Sequence, residues 1–356
     1  MMNEPYHLVI RLSAIGDVLL TFPALHALRE VQEGTRLAFL TDPAQAPLLR
    51  DQPLIDRLFV WPRDGRGRAA PVAEVHALLK DEAFTSVIDL QNKVRTRRLV
   101  AALRRDRALE SARLQRRSLG GALLALLGRD RPLEGPHATR LYFRALGAFG
   151  VRPPPGAPDA PLPYRWTIPG EGRSELEVFE LPPAPRVGLA PASRWPTKDW
   201  PLERYQALAR LLIDEGSSVV FIGGPDERAL HERLMKELPA GRVATSADLG
   251  LAALGALLAR LTLLVSADSG PAHLASAVGC PVVTLFGPTA PGRWAPGPQG
   301  PAVHLLHLGL PCQPCSNHGT MSCPLGHHDC LRGIEVEMVH RAIRDLREAQ
   351  GSSDSP

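Results

Sequence analysis

No run of apolar residues in this chain approaches the roughly 20 that a bilayer-spanning helix needs. The stretch Leu119–Leu127 is too short; with Arg116, Arg117 and Arg129 around it, it reads as a buried core helix or as an interfacial amphipathic one. Nor is a secretory leader expected. Met1 to Pro5 is polar and the first apolar run is the short, strand-like YHLVIRL, so a cytoplasmic protein is expected. Cysteine is sparse: Cys280 stands alone and Cys312, Cys315, Cys323 and Cys330 cluster late in the chain, which fits a metal or thiol site better than a disulfide framework. Lysine is scarce beside arginine, a bias that a GC-rich genome suffices to produce. No G-x-G-x-x-G is present, so the dehydrogenase fingerprint is absent. No aromatic residues interleave with basic ones, and no nucleic-acid motif occurs, so nucleic acid is not an expected partner.

What is present is ordinary soluble-protein composition over 356 residues, 44% hydrophobic and 22% charged, which is enough for two domains. The formal charge is only +4, but Lys93, Arg95, Arg97, Arg98, Arg104, Arg105, Arg107, Arg113, Arg116 and Arg117 crowd one stretch. Such a stretch suits anionic groups or an anionic membrane surface, or is a solvated helix face.

Strand, turn and helix patterns alternate. HLVIRL, RLAFLTD, DRLFVWP and TSVIDLQ read as strands, with helices expected over Asp17–Arg29 and Val72–Lys80. The Pro-rich 151–163 interrupts the series. RVGLAPAS, SSVVFIGG, RVATSAD, TLLVSAD and PVVTLFG then alternate with helices at Leu202–Glu215, Leu251–Arg260 and Pro271–Val278. Alternation of this kind predicts parallel sheets covered on both faces. The expected architecture is α/β, two Rossmann-like domains facing across a cleft. The expected bounds are 1–160, a linker region 161–182, 183–334, a terminal helix 335–350 and a polar tail 351–356.

Ligands of such sheets bind beyond the carboxyl ends of the strands, and the unusual residues lie there. In RLSAIGDVLL, Ser13 and Gly16 shape a turn and Asp17 opens a helix, as a catalytic acid or as an ordinary first-turn carboxylate. In APASRWPTKDWP, Ser193, Thr197 and Lys198 precede a helix start and form a phosphate cradle, or a solvated loop. Gly223 and Gly224 allow close backbone approach, and Asp226 or Glu227 behind them can accept from ribose hydroxyls. In SADSGPAHL, Asp268, Ser269 and Gly270 start a helix bearing His273, whose amides suit a pyrophosphate; Gly287 and Thr289 form a further small-residue loop.

These five motifs, in this order, resemble the successive signatures of glycosyltransferase family 9, from about residue 6 to 345. The resemblance implies the GT-B fold and an enzyme that moves heptose from ADP-heptose to the inner core of lipopolysaccharide, with inversion. It implies Asp17 as general base and Lys198 as the cation meeting the leaving diphosphate. Ser13, Gly16, Ser193, Thr197, Gly223, Gly224, Asp226, Glu227, Asp268, Ser269, Gly270, His273, Gly287 and Thr289 would line the site, with Glu227 or Asp226 at the ribose. No divalent metal is required. The acceptor would be Kdo-lipid A or a heptosylated lipopolysaccharide, met by the first domain at the cytoplasmic surface of the inner membrane, peripherally. A family relative with another donor or acceptor, and a non-catalytic nucleotide-binding module, are the alternatives. The C-x2-C-x7-C-x6-C cluster of Cys312, Cys315, Cys323 and Cys330 admits three readings: a structural zinc site, reduced structural thiols, or disulfides.

Overall fold

The computed structural model describes residues 4–114, 135–158, 160–297 and 303–351. The Leu119–Leu127 stretch, Arg116, Arg117 and Arg129, and residues 352–356 of the expected tail, lie outside them. Two compact units divide the chain, the first closing at Leu162 and the second beginning at Pro163, apart from 133–135. Among the described residues no helix is long and apolar enough to cross a membrane.

The first unit holds a parallel sheet of β1 (Tyr6–Ile10), β2 (Arg36–Thr41), β3 (Arg57–Val60), β4 (Ser86–Asp89) and β5 (Glu110–Arg113), in the order β3-β2-β1-β4-β5. β1 and β4 are buried along their whole length, as expected of strands covered on both faces. Leu8, Ile10, Leu40, Trp61, Val87 and Leu99 belong to one core. The order reverses beside β1, so the loops after β1 and β4 flank the switch point where ligands of such sheets bind.

The single helix expected over Asp17–Arg29 is two, Ile15–Leu19 and Phe22–Val31. Pro23 explains the break. It cannot donate to the carbonyl of residue 19 and its ring clashes there, whereas in the first turn of a new helix it costs nothing. Among the described residues the basic stretch is not one patch. The helix Val94–Asp106 is about 20 Å long and sets Arg95 and Arg97 at the carboxyl edge of the sheet but Arg104 and Arg105 at the opposite end. Arg107 is turned onto the backbone carbonyls of Lys80 and Glu82.

The second unit holds β6 (Arg186–Ala190), β7 (Ser218–Phe221), β8 (Val243–Thr245), β9 (Leu263–Ala267), β10 (Val282–Phe286) and β11 (Val303–His307). All are parallel, in the order β11-β10-β9-β6-β7-β8. Here the switch point falls between β6 and β9. The helix Val336–Gly351 buries Val339, Ala342, Ile343 and Leu346 in the core with Val187, Val265 and Leu285. Within the expected linker region, the helix Gly170–Glu177 packs on Leu251–Leu258. Gly172 permits this contact, because a Cβ there would lie 2.5 Å from the backbone of Ala252.

Candidate functional site

In the first unit the chain leaves β1 and enters the helix Ile15–Leu19, placing Asp17 in its first turn. Two side chains that the sequence did not single out fix it. Arg11, 5% exposed, sets Nη2 2.5 Å from Asp17 Oδ2, while the Asp17 side chain stays 23% exposed and reachable. Arg11 Nη1 donates to the carbonyl of Leu90 at 2.8 Å, which ties the pair to the loop after β4. Tyr142 Oη donates to Asp17 Oδ1 at 3.3 Å, and the Arg11 guanidinium lies 5.8 Å from the Tyr142 ring centre. Gly16 is buried; its carbonyl accepts from the amide of Leu20. Ser13 is half-buried beside the turn. On the same edge, Asp42 accepts from Arg63 and Arg95 at 3.0 and 3.2 Å, and Arg95 lies over Trp61.

In the second unit the candidate loops follow β6, β7, β9 and β10. Lys198 closes a single 3-10 turn, Pro196–Lys198. Its Nζ sits 2.8 Å from Asp268 Oδ2, with side-chain exposures of 11% and 7%. The same carboxylate oxygen accepts from Thr289 Oγ1 at 2.8 Å. Asp268 therefore presents the ammonium at the switch point between β6 and β9. Ser269 precedes the helix Gly270–Ala277 without capping it through its side chain, and its hydroxyl shares a 2.8 Å hydrogen bond with Ser266. The free amides of this helix start lie beside the lysine, an arrangement suited to anions.

His273 is buried, and its Nδ1 is 3.0 Å from Tyr164 Oη. The amide of Gly297 donates to that oxygen at 3.3 Å. His273 is thus a buried side chain held in place by Tyr164, not an exposed base. Glu227 and Asp226 differ in placement. Asp226 is exposed, whereas Glu227 folds over Gly223, where a Cβ would meet its carboxylate. Burial, then repulsion from Asp199 and Asp226, holds the Glu227 carboxyl above its ordinary range despite donation from the amide of Gly224. Gly224 is open to a close neighbour.

Two loop residues have hydroxyls already engaged within the protein. Ser193 Oγ donates to the carbonyl of Trp195, and Thr197 is 4% exposed and bonded to Thr320. Gly287 is a packing glycine, since a Cβ would lie 2.9 Å from Leu331. Asp199, which sequence reasoning missed, is a half-buried acid beside Ser193, held above its ordinary range by burial.

The disulfide reading of the cysteines is overturned: all five thiols are free. Nor, among the described residues, do three His, Cys, Asp or Glu side chains converge where they could hold one metal ion. The thiols differ in burial. Cys330 packs in the apolar core, with its thiol pushed up to about 11 by burial and the neighbouring sulfurs, while Cys315 is exposed. The sulfur of Cys323 accepts backbone amides of residues 325 to 328 and is held below the ordinary thiol range although its slight burial opposes this.

The family model "Glycosyltransferase family 9 (heptosyltransferase)" matches residues 72–325. Lipopolysaccharide heptosyltransferase 1 of Pseudomonas aeruginosa is 30% identical over 331 residues, 86% of this chain and 85% of that protein. Among solved structures, a family 9 glycosyl transferase from Veillonella parvula superimposes with a TM-score of 0.76 at 23% identity, covering 97% of this chain and 98% of that one. The Escherichia coli heptosyltransferase WaaC with ADP-2-deoxy-2-fluoro heptose does so with a TM-score of 0.63 at 20% identity, covering 96% and 99%.

Proposed function

This chain belongs to glycosyltransferase family 9 and has the GT-B fold, and from that premise we propose that it is an inverting heptosyltransferase taking ADP-heptose to the inner core of lipopolysaccharide. That it is a glycosyltransferase follows from the family; the donor, the stereochemistry and the residue roles are the proposal. The observation that carries it is the Asp17 carboxylate, fixed by Arg11 and Tyr142 yet still reachable. A module that only bound a nucleotide has no use for an acid held in this way.

Asp17 takes the proton of an acceptor hydroxyl as that oxygen attacks the anomeric carbon. The new glycosidic bond forms on the face opposite the departing ADP, so the centre inverts. The electron pair of the breaking bond goes to the diphosphate, where Lys198 and the helix-start amides stabilise it. Glu227 accepts from the ribose hydroxyls. Arg63 and Arg95 suit an acceptor that carries phosphates and carboxylates at the cytoplasmic membrane surface. An ADP-linked donor agrees with the ligand named for the Escherichia coli structure.

The test is a donor screen with purified protein, setting ADP-heptose against UDP-, GDP- and dTDP-sugars on truncated lipopolysaccharide acceptors. Turnover with ADP-heptose alone is expected; preference for another nucleotide sugar rejects the donor assignment. Asp17→Asn should lower kcat by roughly 10²-fold or more, the range of a lost general base, and leave ADP affinity unchanged. Unchanged turnover would remove Asp17 from the chemistry. Lys198→Ala should weaken ADP binding and lower the rate together.

A further inference from the structure

The cysteine-rich segment 312–330 does more than finish the core, because it is bonded to the loop that carries Lys198. The amide of Thr197 donates to the carbonyl of Thr320 at 3.3 Å. Thr197 Oγ1 donates to the same carbonyl at 2.9 Å and accepts from the amide of Thr320 at 2.8 Å. His328 Nε2 donates to the carbonyl of Thr197 at 2.7 Å. Gly319, at φ +92°, lies against the lysine itself: a Cβ there would be 2.6 Å from Trp195 Cβ and 3.0 Å from Lys198 Cδ. The amides of Cys315 and Ser316 meanwhile bond the carbonyl of Pro288 in the loop after β10.

One 3-10 turn is not self-supporting, and a lysine at its end has a flexible four-carbon stem. We propose that the segment 312–330 is a brace that sets Lys198, with Thr197, Gly319, Thr320 and His328 as positioning residues. Thr197, which its sequence position marks as a donor contact, is on this view a pin whose hydroxyl faces the brace. Its near-complete burial agrees, since both hydrogen-bonding roles of the hydroxyl are filled from within the protein.

The inference rests on Lys198 meeting the donor diphosphate, and its test separates the two. ADP affinity by calorimetry and donor KM and kcat would be measured on the full chain carrying Thr197→Val, Thr197→Ser or His328→Ala, each with and without Lys198→Ala. Thr197→Val and His328→Ala are expected to weaken ADP binding and raise donor KM by about tenfold, the size of effect that a displaced charge-bearing contact produces. Thr197→Ser keeps the hydroxyl and should stay within about threefold of wild type on the same reasoning. In the Lys198→Ala background the brace variants should add no further loss, the mark of residues acting through one another. A merely structural role would lower kcat through less active protein and leave KM alone.

Wild-type donor KM in both Thr197→Val and His328→Ala, or costs that add in full to that of Lys198→Ala, overturns the brace. If Thr197→Val does not accumulate, His328→Ala decides, because it deletes one hydrogen bond from a surface loop. Unchanged ADP binding and rate in Lys198→Ala alone would instead reject the donor-lysine reading, and the brace with it.

Discussion

Glu227 and Asp226 are neighbours in sequence, but only Glu227 lies over the glycine turn after β7. If it accepts from the ribose, Glu227→Ala removes charge-assisted hydrogen bonds and should weaken ADP binding by roughly 10- to 100-fold. Asp226→Ala, an exposed change, should stay within about twofold. The raised Glu227 carboxyl adds a pH signature. It begins to take up a proton above the ordinary glutamate range, so ADP affinity should fall with acidification from that point, and Glu227→Gln should abolish that dependence. Equal affinity losses from both alanine variants would deny Glu227 its role.

One turn further on, His231 is fully buried, its Nδ1 hydrogen-bonded to Thr245 at 2.6 Å, and burial pushes its imidazole down to about 4. The unfolded chain binds a proton at this residue below its ordinary 6.5, and the folded chain refuses it until about 4. His231 therefore costs no stability above 6.5 and destabilises the fold progressively as pH drops through that window, by roughly 3 kcal/mol in all. Urea midpoints at pH 7 and pH 4.5 should differ less in His231→Gln than in wild type. The same difference in both proteins would mean that the histidine carries no linkage.

At the scale of elements, the packing of Gly170–Glu177 on Leu251–Leu258 makes a clean comparison. Gly172→Ala drives a methyl into the Ala252 backbone, whereas a Cβ at Gly170 meets nothing within 4 Å. Overpacking predicts a loss of about 1–3 kcal/mol for Gly172→Ala and none for Gly170→Ala, read from urea denaturation. Equal stability of the two variants would show that the helices can part without cost. These helices also mark the limit of what the sequence reveals. β9 and β10 were legible because buried parallel strands are unbroken apolar runs, LLVSA and VVTLF. β5 and β11 were missed: ESAR has no periodic apolar signal, and VHLLH is a short, only partly buried edge strand. The loops of Asp17, Lys198 and Asp268 were legible because Gly, Ser and Asp punctuate strand ends. Arg11 and Tyr142 were not. Arg11 reads as the tail of a strand, and Tyr142 stands 125 residues from Asp17. Thr197 looked like a phosphate ligand for the same reason, since its partner Thr320 is 123 residues away.

For the whole molecule, the chemistry divides by unit. The first has its own sheet and core around Asp17. The second has its own around a lysine, a helix start and a buried acid. A nucleoside diphosphate is an anion, and the second unit sets a lysine ammonium beside the amides of a helix start. Hydrogen exchange in saturating ADP should therefore slow in peptides covering 191–201, 222–228, 266–274 and 287–290. At 100 times Kd, bound ligand stabilises the site it occupies by about 2.7 kcal/mol, which is ample to detect. Peptides covering 11–20 should exchange as in the free protein, because a proton-accepting carboxylate gains nothing from a diphosphate beside it. Protection at 11–20 with none at 191–201 would move the nucleotide to the first unit and exchange the roles assigned to Asp17 and Lys198.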